Sequence, residues 1–286
     1  MKSLINWEEL LSLKTAQHGP KPGSDYDPGV FWDKQAPMYD QMAKMEKAYT
    51  RLQIDAIPTS QTDTVLDLCC GPGRVTSMIA PRVKQVTAVD ASPKMLEYCQ
   101  MNCEALGISN VTTQLMNWND IVLDDTVKKH DIVIASRSVA MQDIKKLNQL
   151  ANKAAVIICW ANGPHIPVIL EDMFKNTSDT PSNRPGDFRN DRRLGYNVTF
   201  NMVYDLGLDP NISVVDDGFT KTYPSYEAAY ADLRQLRPFA DEQLSIFKSN
   251  LEAMLTKNKD GTVTFLMQTK SFVLWWRPKH IDEVNN

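Results

Sequence analysis

Two carboxylates bracket a glycine turn in this chain of 286 residues. The run Val65-Leu66-Asp67-Leu68-Cys69-Cys70-Gly71-Pro72-Gly73-Arg74 reads as a buried strand ending in a Gly-x-Gly turn, with a helix starting near Val75. Glycine at such a turn lets the backbone fold back sharply, and it lets a ligand approach closer than a β-carbon would allow. Nineteen residues after Gly71, the strand Val86 to Val89 ends in Asp90. A carboxylate there can accept two hydrogen bonds from a ribose diol. Alone, the glycines fit any tight turn and the carboxylates any solvated loop; together, at this spacing, they point to a site for a nucleoside-bearing cofactor.

Two cofactor classes use this arrangement, the nicotinamide or flavin dinucleotides and S-adenosylmethionine. Dinucleotide sites usually continue to a third glycine or alanine for close helix packing, and Thr76 holds that place. Asp67, four residues before Gly71, stands at the mouth of the turn. A carboxylate there would repel a pyrophosphate but suits an ammonium and a sulfonium cation. Further on, Asn117-Trp118-Asn119-Asp120 follows a weaker strand, Val111 to Met116, and offers a polar group and an aromatic plane for an adenine ring. S-adenosylmethionine is the better fit.

The segments Val65 to Arg74, Val86 to Met95 and Asp131 to Ser138 resemble motifs I, II and IV of class I S-adenosylmethionine-dependent methyltransferases. The resemblance covers roughly residues 30 to 163, about half of the chain. It implies a Rossmann-like sheet of seven strands whose first turn cradles the cofactor. Asp67 and Gly71 would lie near the methionine amine, Gly73 near the sugar, and Asp90 on the ribose hydroxyls. Ala91 and Met95 would flank adenine, with Asn117 and Trp118 at its edge and face. The family often carries Asp where this chain has Asn117, and an amide oxygen accepts the same hydrogen bond. The aromatic stretch Phe31 to Asp40 resembles the lead-in of small-molecule methyltransferases, in which a tyrosine placed like Tyr39 closes over the methionine end. Aromatic side chains at helical spacing are as often simple core, so Tyr39 and Trp32 carry both readings.

The acceptor side is less defined. Ser136, Arg137 and Ser138 follow the strand that ends beside the transferring methyl group in this family, so Ser136 is also a cofactor candidate. Arg137 suits a substrate carboxylate or, equally, a structural ion pair. His165, with Asn162, lies just past a strand end and is either a base that removes a proton from the acceptor or an exposed loop histidine. Arg189, Arg192 and Arg193 form a solvated face or an anion-recognising lid. Five cysteines include no CxxC pair, so no metal site is expected and reduced, buried thiols are.

These residues need a scaffold. Apolar runs at Thr64 to Cys69, Gln85 to Val89, Asp131 to Ala135 and Ala154 to Trp160 alternate with helical stretches, the pattern of a parallel sheet buried on both faces. The expected fold is α/β, a Rossmann-like, seven-stranded, mostly parallel sheet with helices on both faces. We divide the chain into an N-terminal helical lid (1–58), a cofactor-binding core (59–163), an insertion forming a substrate cap (164–258), and C-terminal strands completing the sheet (259–286). In the lid, helical patterns run near Trp7 to Leu13 and Phe31 to Leu52 around a Gly/Pro loop at Gly19 to Gly29. In the insertion a strand is expected at Ile212 to Phe219 and helices near Ser225 to Leu236 and Asp241 to Leu255. The last two strands, Thr262 to Gln268 and Ser271 to Arg277, are expected to meet in a tight turn at Thr269-Lys270. A net charge of -4 argues against a protein that grips phosphate backbones, and no apolar run is long enough to span a bilayer. The sequence therefore predicts a cytoplasmic methyltransferase with a small-molecule acceptor. The alternatives are an RNA or protein methyltransferase and a catalytically silent S-adenosylmethionine-binding module, with a nicotinamide oxidoreductase more distant.

Overall fold

The computed structural model describes residues 5–7, 9–10, 27–161, 166–177 and 192–281. The chain enters through two helices, α1 (Pro28–Met45) and α2 (Lys47–Asp55). It then alternates β1 (Thr64–Leu68), α3 (Arg74–Ile79), β2 (Gln85–Asp90), α4 (Pro93–Ala105), β3 (Val111–Leu115), β4 (His130–Ser136), α5 (Ile144–Leu150) and β5 (Ala151–Trp160). The last part runs α6 (Ile166–Met173), α7 (Tyr196–Asp205), β6 (Asn211–Tyr223), α8 (Tyr226–Leu233), α9 (Leu244–Glu252), β7 (Leu255–Lys257) and β8 (Val263–Trp276). No described helix is long and apolar enough to cross a membrane.

One sheet of eight strands runs β3-β2-β1-β4-β5-β8-β6, with β7 on the far part of β8. The expected count was seven; the extra member is the short β7. Strands β1 to β5 are parallel, and β8 lies antiparallel between β5 and β6. The apolar runs build this sheet because alternate residues feed opposite faces. Leu66, Leu68, Val133, Ala155 and Leu274 enter a core with α5 and α7. Val65, Val86, Ile132, Val156 and Val273 enter another with α2 and α3. Chain order reverses between β1 and β4, so their carboxyl ends frame a crevice, the usual ligand position in such sheets.

Two expectations need correcting. The helical stretch Phe31 to Leu52 is two helices, parted at Glu46. At Thr269-Lys270 there is no turn: β8 runs unbroken for 14 residues and pairs with β6 from Asn211↔Trp275 to Tyr223↔Val263. The polar pair reads as a turn because it interrupts two apolar runs. In fact Lys270 faces Asp216 across the ladder and donates to its Oδ1 at 2.8 Å.

The partner of Trp160, the last residue of β5, is Ser271. Residues 263–270 of β8 and their β6 partners therefore continue past the carboxyl edge of the parallel strands. On this projection α6, α8, α9 and β7 assemble a separate core around Phe219, Phe247, Leu251, Val263 and Phe265, and Met42 and Met45 of α1 join it. The residues following the fifth strand thus supply both this separate core and three strands of the sheet, β6, β7 and β8.

Candidate active site

Strand β1 delivers Asp67 to the crevice, 1% exposed. Thr76, in the first turns of α3, donates its hydroxyl to Asp67 Oδ2 at 2.6 Å, so the residue that stands in place of a third glycine pins the carboxylate. Asp67 Oδ1 is buried with no protein partner. Burial pushes this carboxyl up to about 6. An orphaned carboxylate oxygen at a glycine turn is satisfied by an incoming cationic donor. Gly71 and Gly73 both adopt positive φ (56° and 82°), which a side chain would strain. A β-carbon on Gly73 would stand 2.7 Å from Cys99 Sγ, whereas one on Gly71 would meet only Met95 Sδ at 3.9 Å. The turn is thus packed underneath by α4 and open near Gly71.

The Asp90 carboxylate is oriented by two amides: Gly71 N–H donates to Oδ2 and Ser92 N–H to Oδ1, both at 2.9 Å. The first bond ties the ribose candidate to the turn itself. Met95 is buried and Ala91 half-buried beside it. Helix α1 lies along this flank. A β-carbon on Gly29 would come within 2.7 Å of the Ala91 carbonyl, and Asp33 accepts from Ser92 Oγ at 2.5 Å and Lys94 N–H at 3.0 Å. Lower down, Asn102 donates to Asp40 at 2.7 Å and to the Pro72 carbonyl at 2.9 Å. Tyr39 is half-buried, its ring held edge-on by Trp32 at 5.3 Å between centroids. Burial raises its phenol pKa, with Arg137 opposing.

Where the sequence places the adenine, Asn117 caps the turn Trp118–Asp120, its amide oxygen accepting from Asn119 N–H at 3.0 Å. One lone pair of that oxygen remains for a ligand. Trp118 is 8% exposed and belongs to the core cluster with Leu68 and Val89, with Lys146 Nζ 4.1 Å from its ring centroid. The expected stacking plane is therefore largely a core side chain with a cation on it.

At the acceptor edge Ser136 Oγ accepts from Arg74 Nη2 at 2.7 Å. Arg137 takes positive φ (49°) and turns inward. Its Nη1 meets Glu46 Oε1 at 2.6 Å, its Nη2 meets Asp217 Oδ2 at 2.5 Å, and its guanidinium lies 3.9 Å from the Trp160 ring centroid. Of the two roles open to Arg137, the geometry is that of the ion pair. A substrate carboxylate would have to displace Glu46 or Asp217 from its closest cation and leave a buried charge less well paired. His165, Asn162 and Arg189 lie outside the described residues, as do residues 11–26 of the expected N-terminal helix and loop. Arg192 and Arg193 open a short helical turn ahead of α7. Cys69, also at positive φ (53°), has its thiol pushed up to about 12 by burial and by Asp90, so it is protonated at neutral pH.

Residues 65–158 match the family model for a methyltransferase domain. They are an S-adenosylmethionine-dependent methyltransferase domain. Across most of its length the methyltransferase is 24% identical to an uncharacterised protein of Haemophilus influenzae, a match covering 89% of this chain and 91% of that one. It is also 24% identical over 120 residues to a 23S rRNA (uracil(1939)-C(5))-methyltransferase of Legionella pneumophila, covering 41% of this chain but 27% of the relative. Among solved structures, a putative methyltransferase of Bacillus halodurans superposes with a TM-score of 0.49 at 16% identity, covering 82% of this chain and all of that one. A geranyl diphosphate C-methyltransferase of Streptomyces coelicolor gives 0.48 at 14% identity, covering 90% of this chain and all of that one.

The residues fit S-adenosylmethionine: Asp67 offers an unpartnered buried carboxylate oxygen, which is the complement of an ammonium group, and the turn is open near Gly71. Sequence reasoning missed Glu46, Asp217, Asp33 and Asn102. None sits in a local pattern; Glu46 and Arg137 are 91 residues apart. The available signal was an acidic residue inside an otherwise amphipathic helical stretch, at the place where that stretch breaks.

Proposed function

We propose that this methyltransferase acts on a small molecule enclosed between the carboxyl edge of the sheet, the α1–α2 lid and the cap. One observation carries the proposal: β6 and β8 continue past the end of β5 and support a second hydrophobic core beyond the carboxyl edge of the sheet, to which the lid contributes Met42 and Met45. A roof of this kind favours an acceptor small enough to be enclosed, and enclosure excludes water.

S-adenosylmethionine supplies a methyl group on a sulfonium, which an acceptor lone pair or carbanion takes by in-line displacement. Asp67 would hold the ammonium end, Asp90 the ribose hydroxyls, Ala91 and Met95 the adenine, and Asn117 its edge. Tyr39, braced by Trp32, would cover the methionine end, and Ser136, fixed by Arg74, would line the approach. The rate gain is assigned to alignment, since displacement at a cationic methyl consumes charge rather than creating it. His165 is the residue we assign to proton removal where the acceptor needs it.

The test is turnover to S-adenosylhomocysteine with pooled metabolite fractions and, separately, with bulk RNA and protein. We expect a metabolite fraction to support turnover that His165→Ala slows and RNA to support none. Methylation of RNA alone would overturn the proposal and favour the RNA reading suggested by the partial match to an rRNA methyltransferase.

A further inference from the structure

Four buried charges from four elements meet at the acceptor edge. Glu46 occupies the joint between α1 and α2 and is 1% exposed, and Asp217 of β6 is equally buried. Arg137 follows β4, and Arg74 opens α3 directly after the glycine turn. Glu46 Oε1 binds Arg137 at 2.6 Å, while its Oε2 lies 3.4 Å from Arg74 Nε. Neutral partners fill in the rest. Arg74 Nη1 donates to Thr50 at 3.0 Å and Gln53 at 2.7 Å, both on α2, and Gln53 in turn donates to Asp217 at 3.0 Å. Ser271 of β8 binds Asp217 and accepts from Arg137 at 3.2 Å.

The cluster is charge-balanced, and a balanced buried cluster of this kind adds little net stability over apolar side chains of the same shape. It does select one geometry, because each charge is tolerated only where its partners are. Arg137 even takes a left-handed backbone conformation to reach its partners. Among the described residues only the Glu46 carboxylate pairs with both arginines, one attached to the cofactor turn and the other to the acceptor edge. It also sits where the lid changes direction.

We infer that Glu46 is a positioning residue that fastens the α1–α2 joint to the cofactor turn and the acceptor edge together, so that the lid closes over bound cofactor only when both edges are in place. The inference goes beyond the proposed acceptor class and needs no acceptor to be tested. Asp217 is the internal control: it binds the same Arg137 and is as buried, but it belongs to β6, meets the lid through Gln53 of α2 rather than at the joint, and its replacement leaves the bonds from Glu46 to both arginines in place.

The experiment compares wild type, Glu46→Gln, Glu46→Asp and Asp217→Asn by release of S-adenosylhomocysteine in stopped flow and by amide hydrogen exchange across residues 28–45. Positioning predicts release about tenfold faster and faster α1 exchange in Glu46→Gln. Glu46→Asp, which retains the charge on a shorter stem, should fall between, and Asp217→Asn should keep wild-type α1 exchange even if its melting temperature drops. The inference is overturned if Glu46→Gln and Asp217→Asn lose comparable stability with release and α1 exchange unchanged, or if both speed exchange alike. Should Glu46→Gln fail to fold, Glu46→Asp decides alone: release at the wild-type rate refutes positioning.

Discussion

Asp67 shows what a single spacing can disclose and what it hides. Its place before the turn was readable because a strand end and a Gly-x-Gly turn fix the local backbone, and Gly71, Gly73 and Asp90 follow from the same geometry. The role of Thr76 was not readable, since a hydroxyl in the first turns of a helix has many local partners. Burial holds Asp67 at about 6, above its ordinary 3.8. Between those values the folded protein keeps a proton that the unfolded chain has released, so stability of the free protein should fall as pH rises through that window. With Asp67 holding the ammonium end as proposed, cofactor binding should strengthen over the same range, by at most about tenfold per pH unit. Denaturant titrations and S-adenosylhomocysteine titrations from pH 4.5 to 7.5 should show both slopes, and Asp67→Asn should flatten them. Parallel curves for the two proteins would place the ammonium elsewhere.

Helix α1 is the element whose importance composition concealed. Its Asp27 cap and Pro28 start are ordinary helix grammar, and the aromatic spacing marked Trp32 and Tyr39 as core or site. Nothing in that grammar shows that the first turn rests on the Ala91 carbonyl, because such a contact depends on how the helix meets the turn between β2 and α4. Gly29→Ala should improve helix propensity by up to about 1 kcal/mol while forcing the first turn away from a backbone atom 2.7 Å from the new β-carbon. The expected result is weaker S-adenosylhomocysteine binding, several-fold by calorimetry, with a melting temperature close to wild type. Unchanged affinity would mean that this end of α1 does not shape the cofactor site. Strand β8 teaches the complementary lesson. Periodicity found both of its halves, but Thr269 and Lys270 read as a turn because the ladder that makes them strand residues lies more than 50 positions away in β6.

At the scale of the whole molecule, the parallel strands were legible since burial on both faces leaves near-continuous apolar runs. In the cap the strand near Ile212 to Phe219 and the two helices after it were legible as local patterns and are β6, α8 and α9, but their common core was not, because it draws on α1, β6 and β8 at once. Shared strands should make the two cores unfold together. Phe265→Ala, at a fully buried cap position, should cost about 3–5 kcal/mol and shift a single transition seen alike by far-ultraviolet circular dichroism and tryptophan fluorescence. Two separated transitions would show that the cap folds on its own. The uninterrupted β6–β8 ladder also bears on how such enzymes diversify. A cap borne on loops can be exchanged like a cassette, whereas excising residues 164–258 here would strip β6 from its partner and leave a long β8 edge open to aggregation. If the cap selects the acceptor, as proposed, a new acceptor is therefore expected to be reached by substitution within the cap, one side chain at a time, rather than by swapping the module.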